Sequence, residues 1–148
     1  MPEEEPVERA REDKREGKSP STQAGEFVRE EMEHIREGEH GARSPEQAIA
    51  IGLSKARRAG VELPPPKRGK KRTKRQAKRD LAKGRKGSRK KVSRTRSRAT
   101  KRALKREPRR SASKKALSRR AKQAAARRSA RSRSAAAKKA ARTRKRRL

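Results

Sequence analysis

Apolar side chains recur at helical spacing in only one part of this sequence, residues 24–63. Val28, Met32 and Ile35 are separated by four and then three residues, which places them on one face of a helix. Gly38 follows this stripe and is a typical residue for ending a helix. The pattern therefore predicts a first amphipathic helix that ends at a glycine-containing break.

A second helix is predicted by the residues that would form its N-terminal cap. Ser44 suits the N-cap, Pro45 suits the first helical position, and Gln47 completes a capping box. The apolar stripe behind them has the i, i+3, i+4, i+7 spacing of a helix face and consists of Ile49, Gly52, Leu53 and Ala56. Arginines in the last turn and Gly60 after it complete the signals for a helix end.

Together these segments predict an αα-hairpin over about residues 21–60. Gly52 and Ala56 carry almost no side chain, so the two backbones can approach closely at that point. A unit of about 40 residues seldom stands alone. We therefore expect the hairpin either to form a homodimer or to be only marginally stable.

Three stretches of the hairpin resemble a small bacterial and viral helical domain family of unknown function. They are residues 25–32 (GEFVREEM), 34–38 (HIREG) and 44–60 (SPEQAIAIGLSKARRAG). Members of that family typically join such a unit to Lys/Arg/Ala-rich sequence. The resemblance covers roughly residues 24–66 and implies a helical fold without an assigned activity.

The rest of the chain resembles, by composition, the Lys/Ala-rich tails of linker histones and bacterial histone-like proteins. It is richer in arginine and serine and poorer in proline than linker-histone tails, and no winged-helix domain precedes it. This resemblance implies a chromosome-condensing role.

Charge divides the chain at the proline linker, residues 64–66. The part before it holds 15 of the 17 acidic and 11 of the 51 basic residues, whereas residues 64–148 hold 2 acidic and 40 basic residues. So few large apolar residues cannot offset the entropy of ordering a basic segment of this length. We therefore predict a mostly disordered chain with a mixed-charge arm at 1–20, an α-helical hairpin domain at 21–63, a proline linker at 64–66 and a basic tail at 67–148.

The basic tail has latent helical capacity, because alanine, arginine and lysine dominate its last third. Like-charge repulsion opposes helix formation until a polyanion binds. We expect segments such as Lys114–Arg128 and Ala135–Arg147 to become helical on such a partner. Pro108 is expected to end any helix before them, and Gly84 and Gly87 are expected to interrupt an earlier one.

A net charge of +34 requires a polyanionic partner, and nucleic acid phosphate is the commonest one. The sequence shows no zinc finger spacing, no recognition helix and almost no aromatic residues, so we predict sequence-independent binding, most directly to duplex DNA. The predicted contact residues are Lys67, Arg68, Lys70, Lys71, Arg72, Lys74, Arg75, Arg85, Lys86, Arg89, Lys90, Lys91, Arg94, Arg96, Arg98, Arg109, Arg110, Lys114, Lys115, Arg119, Arg120, Arg127, Arg128, Arg131, Arg133, Lys138, Lys139, Arg142, Arg144, Lys145, Arg146 and Arg147.

Other classes of function fit less well. An RNA-binding or ribosome-associated protein would use the same electrostatics and is the main alternative. A membrane-active cationic protein would need an apolar helix face that the tail lacks. The composition leaves no core for an enzyme pocket, so we expect no catalysis, no cofactor and no small-molecule substrate.

Two histidines in the hairpin raise the question of a metal site. His34 and His40 lie among glutamates, but there is no cysteine and no i, i+4 histidine pair, so we expect solvated surface residues rather than a metal site. No secretory signal follows Met1 and no membrane span is present. We therefore expect an intracellular protein of a bacterial nucleoid or cytoplasm, or of a nucleus or virion.

Overall fold

The computed structural model describes residues 4–87, 91 and 93–147, and 76% of them lie in helices. The chain divides into two compact units, with the boundary after Ser113. The helices are α1 (Glu4–Arg15), α2 (Pro20–Glu37), α3 (Pro45–Arg58), α4 (Lys71–Lys86), α5 (Arg94–Arg106), α6 (Lys114–Ala126) and α7 (Ala130–Arg147), with a 3₁₀ turn at Arg110–Ala112. The expectation of a mostly disordered chain is therefore wrong, and so is that of an intrinsically disordered tail.

Helix α2 begins at a cap that resembles the one predicted for α3. Ser19 is the N-cap, its Oγ accepts a hydrogen bond from the Thr22 amide at 3.4 Å, and Pro20 takes the first helical position. The helix ends at Gly38, whose φ of +86° is readily available only to glycine. Its apolar face buries Phe27 and Ile35.

Helix α3 confirms the predicted N-cap. The Ser44 Oγ accepts a hydrogen bond from the Gln47 amide at 3.2 Å, as in a capping box. The Gln47 side chain departs slightly from that motif, because its Oε1 accepts from the Arg43 amide at 2.6 Å. Gly60, with a φ of +103°, follows the helix end.

Helices α2 and α3 pack closely where Gly52 faces Val28. A Cβ built on Gly52 would lie 2.7 Å from the Val28 Cα, so any larger residue would push the backbones apart. The adjoining apolar core has buried members in three helices and in the segment after α3: Ala10, Ala24, Phe27, Ala56 and Val61.

Residues 4–15 form α1 rather than the predicted disordered arm. Ala10 is buried in the core, and Val7 packs against it. The Arg9 Nε lies 3.2 Å from the Glu26 Oε2 of α2, which adds an ion pair to this contact. The charged residues of this segment therefore lie around a short apolar stripe, which the composition of the segment does not predict.

The chain between α3 and α4 is held by a buried arginine. The Arg57 Nε donates to the Leu63 carbonyl at 3.1 Å, and its Nη2 donates to the Pro64 carbonyl at 3.2 Å. Desolvation lowers the pKa of the Arg57 guanidinium, and the negative charge of Asp80 partly opposes that shift. These bonds fix the start of the proline linker against α3.

Helix α4 packs on α3 through small and apolar residues, so the basic segment is ordered where disorder was predicted. Ala77 and Leu81 are buried on its inner face. Gly84 was expected to interrupt a helix, but α4 continues through it. A Cβ on Gly84 would lie 2.0 Å from the Arg57 carbonyl oxygen, so the glycine permits a close crossing of α4 and α3. Gly87 does end the helix, with a φ of +60°.

The last turn of α5 and the segment after it dock on the loop between α2 and α3. The Gly41 amide donates to the Leu104 carbonyl at 2.8 Å, and the Ala42 amide donates to the Pro108 carbonyl at 3.1 Å. Helix α5 ends at Arg106, two residues before Pro108, as expected. The 3₁₀ turn is held to α2 by Arg36, whose Nε donates to the Ala112 carbonyl at 2.9 Å.

The second unit consists of α6 and α7. Ser129 precedes α7, and its Oγ accepts a hydrogen bond from the Ser132 amide at 3.1 Å. Among the described residues of these two helices, none is buried. Both helices overlap the segments in which latent helical capacity was predicted.

Candidate nucleic-acid interface

Helix α4 has two faces of opposite character. Its inner face carries the residues that pack on α3, spaced at i, i+3, i+4 and i+7 from Ala77 to Gly84. The same period places a row of exposed cations on the outward face, consisting of Lys71, Arg72, Arg75, Lys78, Arg79, Lys83 and Lys86. A helix of this length extends about 24 Å at 1.5 Å per residue, so the row forms an extended cationic ridge.

A buried carboxylate orients this ridge. Asp80 is 1% exposed, and its Oδ2 accepts a hydrogen bond from the Ser54 Oγ at 2.5 Å. Its Oδ1 accepts from the Arg58 Nε and from the Gln76 Nε2, both at 3.1 Å. Because charge-assisted hydrogen bonds are the stronger class, Asp80 fixes which side of α4 faces the solvent.

The other basic helices offer cations on most of their surface. Among the described residues of α5, α6 and α7, none is buried. Residues 114–148 contain 16 lysines and arginines and no acidic residue. No acidic side chain within residues 114–148 offsets these charges.

The structure places the sequence-predicted contact residues almost entirely on the surface. Arg89 and Lys90 lie outside the described residues. Of the others, all are exposed except Lys74 and Arg120, which are half-buried. The set is not gathered into one pocket but spread along α4 to α7 and the segments that join them.

Arg85 and Arg109, which are among the predicted contact residues, lie against other parts of the first unit. Arg85 pairs with Glu62, with the Nη2 and Oε2 atoms 2.9 Å apart, and this contact raises the pKa of Arg85 and lowers that of Glu62. The Arg109 Nη1 lies 2.7 Å from the position of a Cβ built on Gly38. Arg109 therefore stands at the C-terminus of α2, where the helix dipole favours a cation.

Several exposed cations were absent from the sequence-based set: Lys78, Arg79, Lys83, Lys101, Arg102, Lys105, Arg106 and Lys122. That set followed runs of consecutive basic residues. Most of the missed residues are three or four positions from chosen cations on the same helix surface, although Lys105 and Arg106 are that close only to Lys101 and Arg102. A helical interpretation of residues 71–86 would have included Lys78, Arg79 and Lys83.

A second cluster lies at the end of α2, where the backbone turn at Gly38 folds His40 back over the helix. Its centre is the Glu31 carboxylate, which is 1% exposed and pairs through Oε1 with the Lys55 Nζ of α3. The His40 Nε2 lies 3.0 Å from the Glu31 Oε2, and the His34 Nδ1 lies 3.9 Å from Oε1. The interpretation of both histidines as solvated surface residues is therefore wrong: their side chains are 12% and 15% exposed.

Part of the chain is similar to a known protein family. Residues 15–68 match the model of a family of unknown function, DUF6496. The match covers α2, α3 and the loop between them and ends before α4. It confirms the resemblance of the hairpin to a family without assigned activity and does not extend to the basic helices. No curated protein and no solved structure matches the chain.

Among the residues that the structure describes, no helix is both long and apolar enough to cross a bilayer.

Proposed function

We propose that this protein binds nucleic acid without reading its sequence, with duplex DNA as the primary partner. The observation that carries the proposal is the outward face of α4, where seven cations lie opposite a face that is packed on α3. Since α4 is held by packing and by Asp80, its cations are positioned before a partner arrives. Preorganised groups lose less conformational entropy on binding, and this favours affinity for a regular row of phosphates.

The second unit supports the same function by its charge balance. Like charges three or four residues apart destabilise a helix, and α7 carries Arg131, Lys138, Lys139, Arg142 and the cations that follow, with no acid to offset them. DNA presents one negative charge for about every 1.7 Å of its axis. A duplex would therefore relieve the repulsion among these cations, which no acidic side chain of residues 114–148 offsets.

The chemistry of the surface favours phosphate contacts over base readout. Lysine and arginine contacts to phosphate give affinity and position but carry no sequence information. Aromatic residues, which stack on unpaired bases, make up only 1% of the sequence. The expected outcome is coating, neutralisation and condensation of DNA in a histone-like manner, in a nucleoid, nucleus or virion.

The test is the salt dependence of binding to duplexes of several sequences. Each phosphate neutralised on duplex DNA contributes about 0.9 to the slope of log affinity against log salt. If a quarter of the 40 basic residues after residue 63 contact phosphate, the slope is about −9. Fluorescence anisotropy between ~50 and ~200 mM salt measures it directly and should show a fall in affinity of several orders of magnitude.

Charge substitutions on the intact chain locate the interface, since removal of α4 would expose α3. Changing Arg72, Arg75 and Arg79 to glutamine should reduce the slope by up to about 2.7, at about 0.9 per contact. The matched control changes Arg11, Lys14 and Arg15, which are exposed on α1, and removes the same charge.

We expect the α1 control to leave the slope unchanged, because those cations lie among the acidic residues of the first helix. Equal losses in both triple variants would mean that net charge alone governs binding and that α4 is no interface. A slope near −2, or a strong preference for one duplex, would contradict the proposal. Structured RNA that outcompetes duplex DNA at matched salt would reassign the partner.

A further inference from the structure

The cluster at the end of α2 presents metal-ligating atoms at short range. Single ligand atoms from Glu31, His34 and His40 all lie within 4.8 Å of one another. Glu31 and His34 are three residues apart on one helix face, the Glu-x-x-His spacing by which helices present a carboxylate and an imidazole to one ion. His40 joins them because the left-handed Gly38 turns the chain back.

The hydrogen bonding of His40 is the observation that points to a bound cation. Its Nδ1 lies 3.0 Å from the Gly41 carbonyl oxygen, which can only accept, so Nδ1 must be the donor. In the neutral ring Nε2 then carries a lone pair, and that lone pair faces the Glu31 Oε2 at 3.0 Å. Two lone pairs at this distance require a cation between them, either a proton carried by His40 or Glu31 or a metal ion.

We propose that Glu31, His34 and His40 bind a divalent transition metal ion of the Zn²⁺ class. A ligating histidine typically donates its other ring N–H to a backbone carbonyl, the contact His40 makes with Gly41. Carboxylate and imidazole donors suit Zn²⁺, at about 2.0–2.2 Å from the ion. In tetrahedral geometry two such ligand atoms lie about 3.4 Å apart, so side-chain adjustments of about 1.4 Å or less complete the site.

The surrounding charges also favour a dication. Besides Glu31, the carboxylates of Glu30 and Glu39 lie 3.5 Å and 3.8 Å from ring nitrogens of His34. Glu39, whose side chain is 56% exposed, is the natural fourth ligand. The Lys55 ammonium is the competing cation, and its side chain is 36% exposed, so it can withdraw into solvent.

Such an ion would stabilise the conformation of the loop after α2. Gly41 and Ala42, which follow His40, hold the segment after α5 through their amides. Metal binding would therefore stabilise that docked segment as well as the helix end. Small domains with little apolar core commonly use a structural metal in this way.

The experiment titrates Zn²⁺ into the untagged full-length chain, free of nucleic acid, by isothermal calorimetry. We expect one ion per chain. His34→Ala and His40→Ala should each weaken binding by at least about tenfold, the lower end of what loss of an outer-shell partner alone costs. Lys55→Met should tighten it, since the competing ammonium is gone. Glu33→Gln is the matched control, an exposed carboxylate beside His34 that pairs with Arg29, and should change nothing.

Co²⁺ provides a second, spectroscopic measurement of the ligand set. Bound to these ligands in tetrahedral geometry it should give visible d–d absorption that His40→Ala abolishes, with circular dichroism used to verify that the variant is folded. If His40→Ala unfolds, His34→Gln serves in its place. Absence of saturable Zn²⁺ binding, or equal affinity in the histidine variants and the wild type, would overturn the proposal and leave a proton as the cation at His40.

Discussion

Replacing Gly84 with alanine adds one methyl group where α4 crosses the end of α3. The Cβ would lie 2.0 Å from the Arg57 carbonyl oxygen, whereas ordinary contact begins at 3.4 Å. The atom it meets belongs to the backbone of a neighbouring helix, so no side-chain rotation relieves the clash. Helix α4 must therefore move away by about 1.4 Å, the difference between those two distances.

The expected cost follows from two opposing effects. Overpacking of this kind typically destabilises by about 1–3 kcal/mol, and the displacement also weakens the hydrogen bonds of Asp80. Alanine recovers up to about 1 kcal/mol of helix propensity relative to glycine. We therefore expect a net loss of about 1–2 kcal/mol in the free energy of unfolding, measured by urea denaturation with far-UV circular dichroism.

Gly25→Ala is the matched control, because Gly25 lies inside α2 with nothing within 4 Å of its added Cβ. This variant should gain about 0.5–1 kcal/mol from propensity alone. Stabilisation of similar size in both variants would refute the close packing of α4 on α3. Residues 71–86 would then behave as the undocked basic segment that composition suggests.

Three further substitutions test other contacts. Gly41→Ala should release the segment after α5 and increase amide exchange at residues 104–112, because its Cβ would lie 1.9 Å from the Glu107 carbonyl oxygen; unchanged exchange would contradict that docking. Leu53→Asp should lower the free energy of unfolding by ~3 kcal/mol or more, because it places an unpaired charge against the core. A wild-type melting curve for this variant would show that this face of α3 is not packed. Arg85 lowers the pKa of Glu62, so that pair stabilises the fold above the usual glutamate range and loses this contribution as the pH falls through the lowered pKa. Glu62→Gln should abolish that small, salt-sensitive acid dependence of the unfolding free energy, and an identical pH profile in both proteins would argue against the pair.

The clearest helix signals in the sequence were capping residues. Ser44 and Pro45 predicted the start of α3 because capping depends on neighbouring residues only. Ser19 and Pro20 form a similar cap, one residue before the predicted start of the hairpin, but this cap was not among the predicted helix signals. The high charge of residues 1–20 suggested a disordered arm and outweighed a signal that was present.

Order in the basic helices was harder to predict because it depends on small residues. Ala77 and Gly84 contribute almost nothing to an apolar count, yet they permit the close approach of α4 to α3. Asp80, one of two acids after residue 63, acts through partners more than 20 positions away in sequence. A composition-based entropy argument treats these residues as solvated and so underestimates the packing.

The Glu31 cluster could not be derived from spacing. Its histidines are six residues apart, which places them on no common helix face. They meet only because the chain reverses at Gly38 and because Lys55 approaches from α3. The sequence contained the ligands but not the turn geometry that brings them together.

Asp80→Ala separates the contribution of a folded scaffold from that of net charge. The substitution raises the net charge from +34 by one unit, so a flexible polycation would bind DNA more tightly. In the folded protein the substitution removes the carboxylate that accepts hydrogen bonds from three side chains. Each hydrogen bond to a charged group contributes about 1.5–3 kcal/mol to stability, and solvation of the freed donors recovers part of that loss. Helix α4 then loses its fixed orientation, and we expect weaker binding at matched salt together with a lower free energy of unfolding. Glu8→Ala, an exposed acid of α1, makes the same charge change without touching α4 and should leave binding equal or slightly tighter. If both variants bind more tightly to the same extent, the cations act as a diffuse cloud of charge and the order of α4 is irrelevant to function.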